Sequence, residues 1–174
     1  MINKYQWLFL LIFCLLLPAT SVADGTAGVL QDFNGTARTL DEYTGKGKWL
    51  IVMFWASDCE VCNGEANQYV KFHKAHRDKD ATVLGVSLDG FGKKTEAMAF
   101  IKRNAINFPN LIGEPDAMAE LFTRLTGVSW YGTPTFLFYS PSGELRAQQI
   151  GAVPTHLIED LIKRETVAAV SAKP

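Results

Sequence analysis

The chain has 174 residues, of which 48% are hydrophobic and 20% charged, and its formal net charge is −1. That length and composition suit one compact domain and argue against a disordered or repeat architecture. The near-neutral charge, without a basic cluster, argues against a nucleic-acid-binding protein, which needs a concentrated positive surface.

The first 23 residues have the pattern of an export signal. Lys4 and the amino terminus are positively charged, an apolar run follows at residues 7–17, and small residues at 21–23 predict cleavage after Ala23. The run is shorter than the about 20 residues of a membrane-spanning helix. The sequence therefore predicts an exported protein, periplasmic or otherwise extracytoplasmic, whose mature chain begins at Asp24, with an uncleaved amino-terminal anchor as the alternative.

The rest of the chain alternates between strand and helix patterns, which predicts one domain over residues 24–166 and a flexible tail over 167–174. The order of elements predicts an α/β fold with a mixed sheet that helices cover on both faces. The first half begins with short edge strands among Val29, Leu30 and Phe33, followed by a buried strand at 50–54, a helix from Cys59 to about His76 and a buried strand at 82–88. The second half has a helix at 93–104, a short strand at 108–112 and a helix at 117–125 ended by Gly127. Strands at 135–139 and 145–150 follow, and then a helix from Pro154 that frays after Glu165.

The predicted mature chain keeps two cysteines, Cys59 and Cys62. A disulfide between residues this close stabilises little, because loop-closure entropy grows with loop length. Two cysteines are also too few for a closed zinc site, which takes four ligands. The pair therefore predicts redox chemistry in an exported protein, with a metal clip or an inert pair as the alternative.

The predicted helix start suits the two cysteines to disulfide exchange. Residues at i and i+3 of a helix lie on one side. The unpaired N–H groups and positive dipole end of the helix stabilise a thiolate, which is the nucleophile in disulfide exchange. We expect Cys59 to attack the disulfide of a partner and the more buried Cys62 to resolve the mixed disulfide.

Two motifs carry a resemblance to a known family: Phe54-Trp55-Ala56-Ser57-Asp58-Cys59-Glu60-Val61-Cys62 and Gly132-Thr133-Pro134-Thr135. Together they resemble the thioredoxin-fold superfamily. Within it the chain is most similar to the TlpA/ResA/DsbE-like group of exported reductases linked to cytochrome c maturation. The resemblance implies a thioredoxin-like fold with an inserted strand and helix around residues 108–125, and thiol–disulfide oxidoreductase activity.

The same resemblance implies roles for further residues. Pro134 should follow a cis peptide bond, and Trp55, Thr133 and Pro134 should contact the substrate; an ordinary turn at Pro134 is the alternative. Glu65, three residues after Cys62, should assist proton transfer to the cysteines, with a solvated helix residue as the alternative. Met53 stands where thioredoxin has a buried acid and cannot move protons.

Two acidic residues suggest the direction of electron flow. Asp58 and Glu60 place carboxylates beside Cys59, which opposes thiolate formation. A strong oxidant is one whose reduced thiolate form is stabilised, so these charges favour a reductase.

Two histidines on the first predicted helix could bind a metal. His73 and His76 are three residues apart, which is a ligand spacing. Lysine and arginine residues interleave with them, so we expect a solvated face instead. The sequence predicts no metal and no cofactor.

The alternatives to a reductase are a disulfide oxidant or isomerase, a peroxidase, and a binding module such as a copper chaperone. The Pro-x-x-x-Thr/Ser-x-x-Cys motif of peroxiredoxins is missing, and His156 alone does not suggest a copper site. The expected partners are disulfide-containing exported proteins and, as the resemblance implies, a membrane electron donor of the DsbD/CcdA type. We expect a monomer.

Overall fold

The computed structural model describes residues 30–171, except for the side chains of residues 169 and 170. The predicted export signal, the predicted new amino terminus at Asp24 and the last three residues lie outside the described residues. None of the helices within residues 30–171 is long and apolar enough to cross a membrane.

Within residues 30–171, seven strands form one sheet and four α-helices pack on it. The strands are β1 (Leu30–Asp32), β2 (Ala37–Arg38), β3 (Trp49–Trp55), β4 (Ala81–Ser87), β5 (Asn110–Gly113), β6 (Thr135–Tyr139) and β7 (Leu145–Ile150), and the helices are α1 (Glu60–His76), α2 (Lys94–Arg103), α3 (Pro115–Thr126) and α4 (Thr155–Ser171).

The strand order is β2-β1-β5-β4-β3-β6-β7. Strand β4 runs parallel to β3 and to β5, and the other neighbouring pairs are antiparallel. Helices α1, α2 and α4 contribute to the core on one face of the sheet, and α3 to the core on the other. The predicted mixed α/β sheet is confirmed, with β5 and α3 as the inserted strand and helix.

Strand β3 lies at the centre of the fold, and all of its residues are buried. Its odd-numbered residues, 49–55, pack into the core that α1, α2 and α4 share, and its even-numbered residues, 50–54, pack into the core that contains α3. A strand covered on both faces reads as a continuous apolar run, and this explains the pattern in the sequence. The loop after β3 is thereby fixed to the most buried strand of the sheet.

Helices α3 and α4 extend furthest beyond their predicted bounds. Helix α3 begins two residues early, at Pro115, because proline at the first helical position lacks only an N–H that would be unpaired anyway. Its end at Gly127, with φ of 71°, is confirmed. Helix α4 continues past Glu165 to Ser171, where the sequence predicts fraying. Arg146 on β7 donates to Glu165 at 2.8 Å and ties this part of the helix to the sheet.

Candidate active site

The two cysteines lie where the central strand ends and α1 begins. Cys59 is the N-cap residue of α1 and is partly exposed, whereas Cys62 is fully buried. They form a disulfide with a Cα–Cα distance of 5.2 Å. The backbone N–H of Cys62 donates to the sulfur of Cys59 at 3.0 Å. The helix start therefore points an otherwise unpaired donor at the accessible sulfur, which is the arrangement that stabilises a thiolate.

Asp89 holds the turn that precedes Cys59. The backbone N–H and the hydroxyl of Ser57 donate to Oδ1 of Asp89 at 3.0 and 2.7 Å, and the hydroxyl of Ser87 donates to Oδ2 at 2.6 Å. Sequence reasoning missed Asp89. Its position directly after a buried strand parallel to β3 is the signal that could have found it, because such strands end at one edge of the sheet.

Asn63 and Arg103 form a second set of contacts to the same turn. The side-chain amide of Asn63 donates to the carbonyl of Cys59 at 2.8 Å. The guanidinium of Arg103 donates to Oδ1 of Asn63 at 2.9 Å and to the carbonyl of Ser57 at 3.4 Å. Sequence reasoning missed both residues, since Arg103 lies 40 positions after Asn63 and only the fold brings them together.

Trp55, which the resemblance implies as a substrate contact, lies in the core. Its side chain is 1% exposed, because the last odd-numbered position of β3 faces the core beneath α2. The indole stacks on Phe100 with a centroid distance of 4.2 Å and donates to Oδ1 of Asn110 at 3.0 Å. Trp55 therefore fixes the end of β3 from inside the protein.

The second motif lies next to the cysteine loop. The peptide bond between Thr133 and Pro134 is cis, as expected. Thr135 pairs with Phe54 in the antiparallel register of β6 and β3, so the two residues before it lie beside the loop that follows Trp55. Pro134 is buried and Thr133 partly exposed, which leaves Thr133 available to a substrate at this edge.

Glu65 lies one turn after Cys62 and is partly buried. Its Oε1 accepts a hydrogen bond from the amide of Gln68 at 2.8 Å, whereas Oε2 is buried and accepts none of standard geometry from the described residues. Burial raises the pKa of the Glu65 carboxyl, and the Val153 backbone and the Gln68 amide oppose this shift. A carboxyl with a raised pKa holds its proton more readily and can act as a general acid or base.

The two histidines of α1 do not form one solvated face. His73 is 5% exposed, and its Nδ1 accepts the backbone N–H of Val83 at 3.2 Å. His76 stacks on Phe72 with a centroid distance of 4.4 Å, and its Nδ1 lies 2.8 Å from Oδ1 of Asp80. The sequence expectation is wrong for His73, because this position faces β4. Among the described residues, no group of three or more His, Cys, Asp or Glu side chains could hold a metal ion.

Comparison with known proteins gives a family and a fold. The model of the AhpC/TSA family matches residues 24–148. The thioredoxin domain of a thiol–disulfide oxidoreductase from Bacteroides vulgatus superposes with a TM-score of 0.62 at 22% identity, covering 82% of this chain and 99% of that one. The expected thioredoxin-like fold is thereby confirmed.

Two curated relatives differ in how much of the chain they match. The thiol-disulfide oxidoreductase ResA of Bacillus subtilis is 28% identical over 147 residues, which cover 80% of this chain and 74% of ResA. Alkyl hydroperoxide reductase C of Mycobacterium tuberculosis is 42% identical over 55 residues, or 31% of this chain. The chain therefore spans about a quarter of that second relative, 27% of its length.

Proposed function

Because the chain belongs to the AhpC/TSA family and has a thioredoxin-like fold, we propose that it is an exported thiol–disulfide oxidoreductase that reduces disulfides of other exported proteins. One observation carries the proposal: the accessible sulfur of Cys59 accepts the Cys62 N–H at the start of α1, while the Cys62 sulfur is buried beneath it. This asymmetry matches a nucleophile and a resolving cysteine.

The reduction takes place in two exchanges. The Cys59 thiolate attacks one sulfur of the partner's disulfide, a mixed disulfide forms, and the other partner sulfur leaves as a thiolate. The Cys62 thiol then loses its proton to Glu65 and attacks the sulfur of Cys59. The partner leaves with two electrons and, once protonated, two thiols. The protein is left with the Cys59–Cys62 disulfide seen in the structure.

The proposed substrate class and electron source follow from the family resemblance. Disulfides in exported proteins, such as the haem-attachment cysteines of apocytochrome c, are the expected substrates. The oxidised pair then needs new electrons, and a membrane donor of the DsbD/CcdA type supplies them, because an oxidising compartment keeps no reduced thiol pool. A disulfide oxidant that runs the same exchanges in reverse is the alternative direction.

A trapping experiment tests the proposed roles. Cys62→Ser should accumulate mixed disulfides with disulfide-bonded partners, because the resolving thiol is missing, and Cys59→Ser should form none. Non-reducing electrophoresis and mass spectrometry of both variants, expressed with the natural leader, identify the trapped partners. Trapping by Cys59→Ser alone would reverse the roles, and trapping by neither would refute the proposal.

Peroxide reduction is the second candidate, because one relative is an alkyl hydroperoxide reductase. In the motif of peroxiredoxins, a proline and a threonine or serine stand seven and three residues before the cysteine. Counted back from Cys62 these positions hold Trp55 and Cys59, and counted back from Cys59 they hold Val52 and Ala56. We therefore expect the reduced protein to reduce insulin disulfides much faster than hydrogen peroxide, and the opposite order would favour the peroxidase.

Export is tested at the amino terminus. Protein purified from its natural host outside the cytoplasm should begin at Asp24, since the pattern of residues 21–23 suits a signal peptidase. Amino-terminal sequencing measures this directly. A membrane-bound chain that retains residues 7–17 would establish an anchor instead.

A further inference from the structure

Arg103 contacts the cysteine turn from a different helix. Although it is the last residue of α2, its guanidinium donates to the side-chain oxygen of Asn63 through Nη2 and Nε, at 2.9 and 3.3 Å, and to the carbonyl of Ser57. Asn63 in turn donates to the carbonyls of Cys59 and Ser57 at 2.8 and 3.4 Å. Two successive hydrogen bonds therefore join the guanidinium to the backbone of Cys59.

The guanidinium is held from a second direction. Its central carbon lies 5.5 Å from the centroid of the Phe100 ring, which is within the range of a cation–π contact. Phe100 stacks on Trp55, the residue that ends β3 and precedes the cysteine loop. The side chain of Arg103 is thus fixed by the Phe100 ring of its own helix and by hydrogen bonds to Asn63 and Ser57.

The charge of Arg103 is not neutralised by its hydrogen-bond partners. All of the acceptors just described are neutral oxygens, and several acids lie on the segments that form or contact the turn. These acids are Asp58 and Glu60, which adjoin Cys59 in the sequence, Glu65 further along α1, and Asp89, which accepts the Ser57 N–H. A cation that is hydrogen-bonded to this turn favours a Cys59 thiolate, which the neighbouring carboxylates disfavour.

We propose that Arg103 is a positioning residue for the cysteine pair, which fixes the turn before Cys59 through Asn63 and supplies the positive charge that favours the Cys59 thiolate. This inference rests on the proposed function for its biological purpose. The thiolate itself can be measured without any substrate, so failure of the inference and failure of the proposed function remain distinguishable.

The test is a pH titration of the ultraviolet thiolate absorbance of the reduced full-length protein. Arg103→Gln should lower the fraction of Cys59 thiolate about threefold at a fixed pH below the pKa of the thiol, the size expected of one exposed charge. Arg103→Lys keeps the charge but loses the planar fork, so it should restore most of that fraction. An unchanged fraction in Arg103→Gln, or an equal loss in both variants, would overturn the role of the charge.

A double-mutant cycle tests the connection through Asn63. If Asn63 links the guanidinium to Cys59, Arg103→Gln should have a smaller effect in an Asn63→Ala background than in the wild type. Equal effects in both backgrounds would refute the link. Arg77→Gln is the matched control, because Arg77 caps the far end of α1, roughly 25 Å from its start and well beyond the Debye length of about 8 Å. A comparable effect of Arg77→Gln would mean that any positive charge suffices, which would contradict a specific role of Arg103.

Discussion

The start and the end of α1 use polar residues in opposite ways. At the start, Asn63 and the Cys59 sulfur lie in a partly exposed network, and contacts from α2 and from the loop after β4 hold the turn before them. Toward the end, Tyr69 and His73 are buried and turn their polar atoms to backbone groups of the protein, the carbonyl of Val153 and the N–H of Val83. One helix therefore presents a reactive group to solvent at one end and anchors itself in the core at the other.

This contrast predicts that residues controlling the redox chemistry and residues controlling the stability lie at different ends of α1. The first turn of a helix has free N–H groups that can act on a thiolate, whereas its middle and last turns have none to spare. Substitutions at the start should change the redox chemistry more than the free energy of unfolding. Substitutions toward the end should do the reverse.

The largest expected effect is at the buried end. Phe72 is 3% exposed, and Phe72→Ala should lower the free energy of unfolding by about 3–5 kcal/mol, because it leaves a cavity in the core. Urea unfolding of the oxidised protein measures this loss, with Lys71→Ala at the exposed neighbouring position as the control. A Phe72→Ala variant that remained folded but had a clearly changed redox equilibrium with glutathione would contradict the separation between the two ends of α1.

His73 should make the buried end sensitive to acid. Burial lowers the pKa of His73 below its usual 6.5. At pH values between the folded pKa and 6.5, the unfolded chain therefore binds a proton on His73 that the folded protein does not bind. The stabilisation from the neutral ring is complete above that value and is lost as the pH falls through the folded pKa, with a slope of at most about 1.4 kcal/mol per pH unit.

The variant His73→Leu isolates this slope. It should be less stable at neutral pH, because Val83 loses its acceptor at a cost of about 1–3 kcal/mol, and its stability should depend less on pH between about 7.5 and 5. Chemical unfolding at several pH values measures both. Parallel pH dependence in the wild type and the variant would mean that His73 does not titrate differently on folding.

A smaller effect is expected at the exposed start of the helix. Asp58 and Glu60 should hold the potential of the cysteine pair nearer to that of thioredoxin, about −270 mV, than to that of DsbA, about −120 mV. Asp58→Asn with Glu60→Gln should raise the potential by roughly 20 mV, since the reduced thiolate is then less repelled.

Equilibration with a glutathione buffer measures this potential, at a pH where the thiolate is the main reduced form. A wild-type potential near that of DsbA would contradict the proposed reductase. An unchanged potential in the double variant would show that these charges do not act on Cys59.

The smallest expected effect is at Glu65, which lies between the two ends. Burial raises the pKa of its carboxyl above the usual 4.5, so folding favours the protonated form. The associated stabilisation is present below pH 4.5 and is lost as the pH rises through the folded pKa. Glu65→Gln should therefore unfold at slightly higher urea concentration than the wild type at pH near 7, and at about the same concentration near pH 4.

The same variant tests the proton transfer. Glu65→Gln should slow the resolution of a preformed mixed disulfide on Cys59 and flatten its pH dependence, because the amide cannot accept the Cys62 proton. Stopped-flow release of a thiol dye measures this rate. An unaltered pH profile would leave Glu65 with a structural role only.

The sequence was informative where a local pattern determines the structure. The continuous apolar run of β3, the helix start within one residue of Cys59 and the end of α3 at Gly127 each depend on a few neighbouring residues, and the sequence predicts each of them. The cis bond before Pro134 was expected from the family resemblance, and the structure has it.

What sequence reasoning missed depends on contacts between distant segments. Whether Trp55 and His73 face a substrate, solvent or the core depends on α2 and β4 packing over them, which no local pattern reveals. The same holds for the partnership of Asn63 and Arg103. Asn63 alone had a local signal, since it lies one helical turn after Cys59 and can reach its carbonyl.

The hydrogen bond between Trp55 and Asn110 has a consequence for protein engineering. Asn110 is the first residue of the inserted strand β5, and its side chain lies over Gly85 of β4. A Cβ at Gly85 would lie 1.9 Å from Oδ1 of Asn110 and 2.9 Å from Nε1 of Trp55, so the glycine leaves the room that the bond requires. The insertion is therefore not a detachable module. Deleting the insertion would leave the indole N–H of Trp55 without its acceptor. Transplanting it into a smaller domain would also require Gly85 and Trp55.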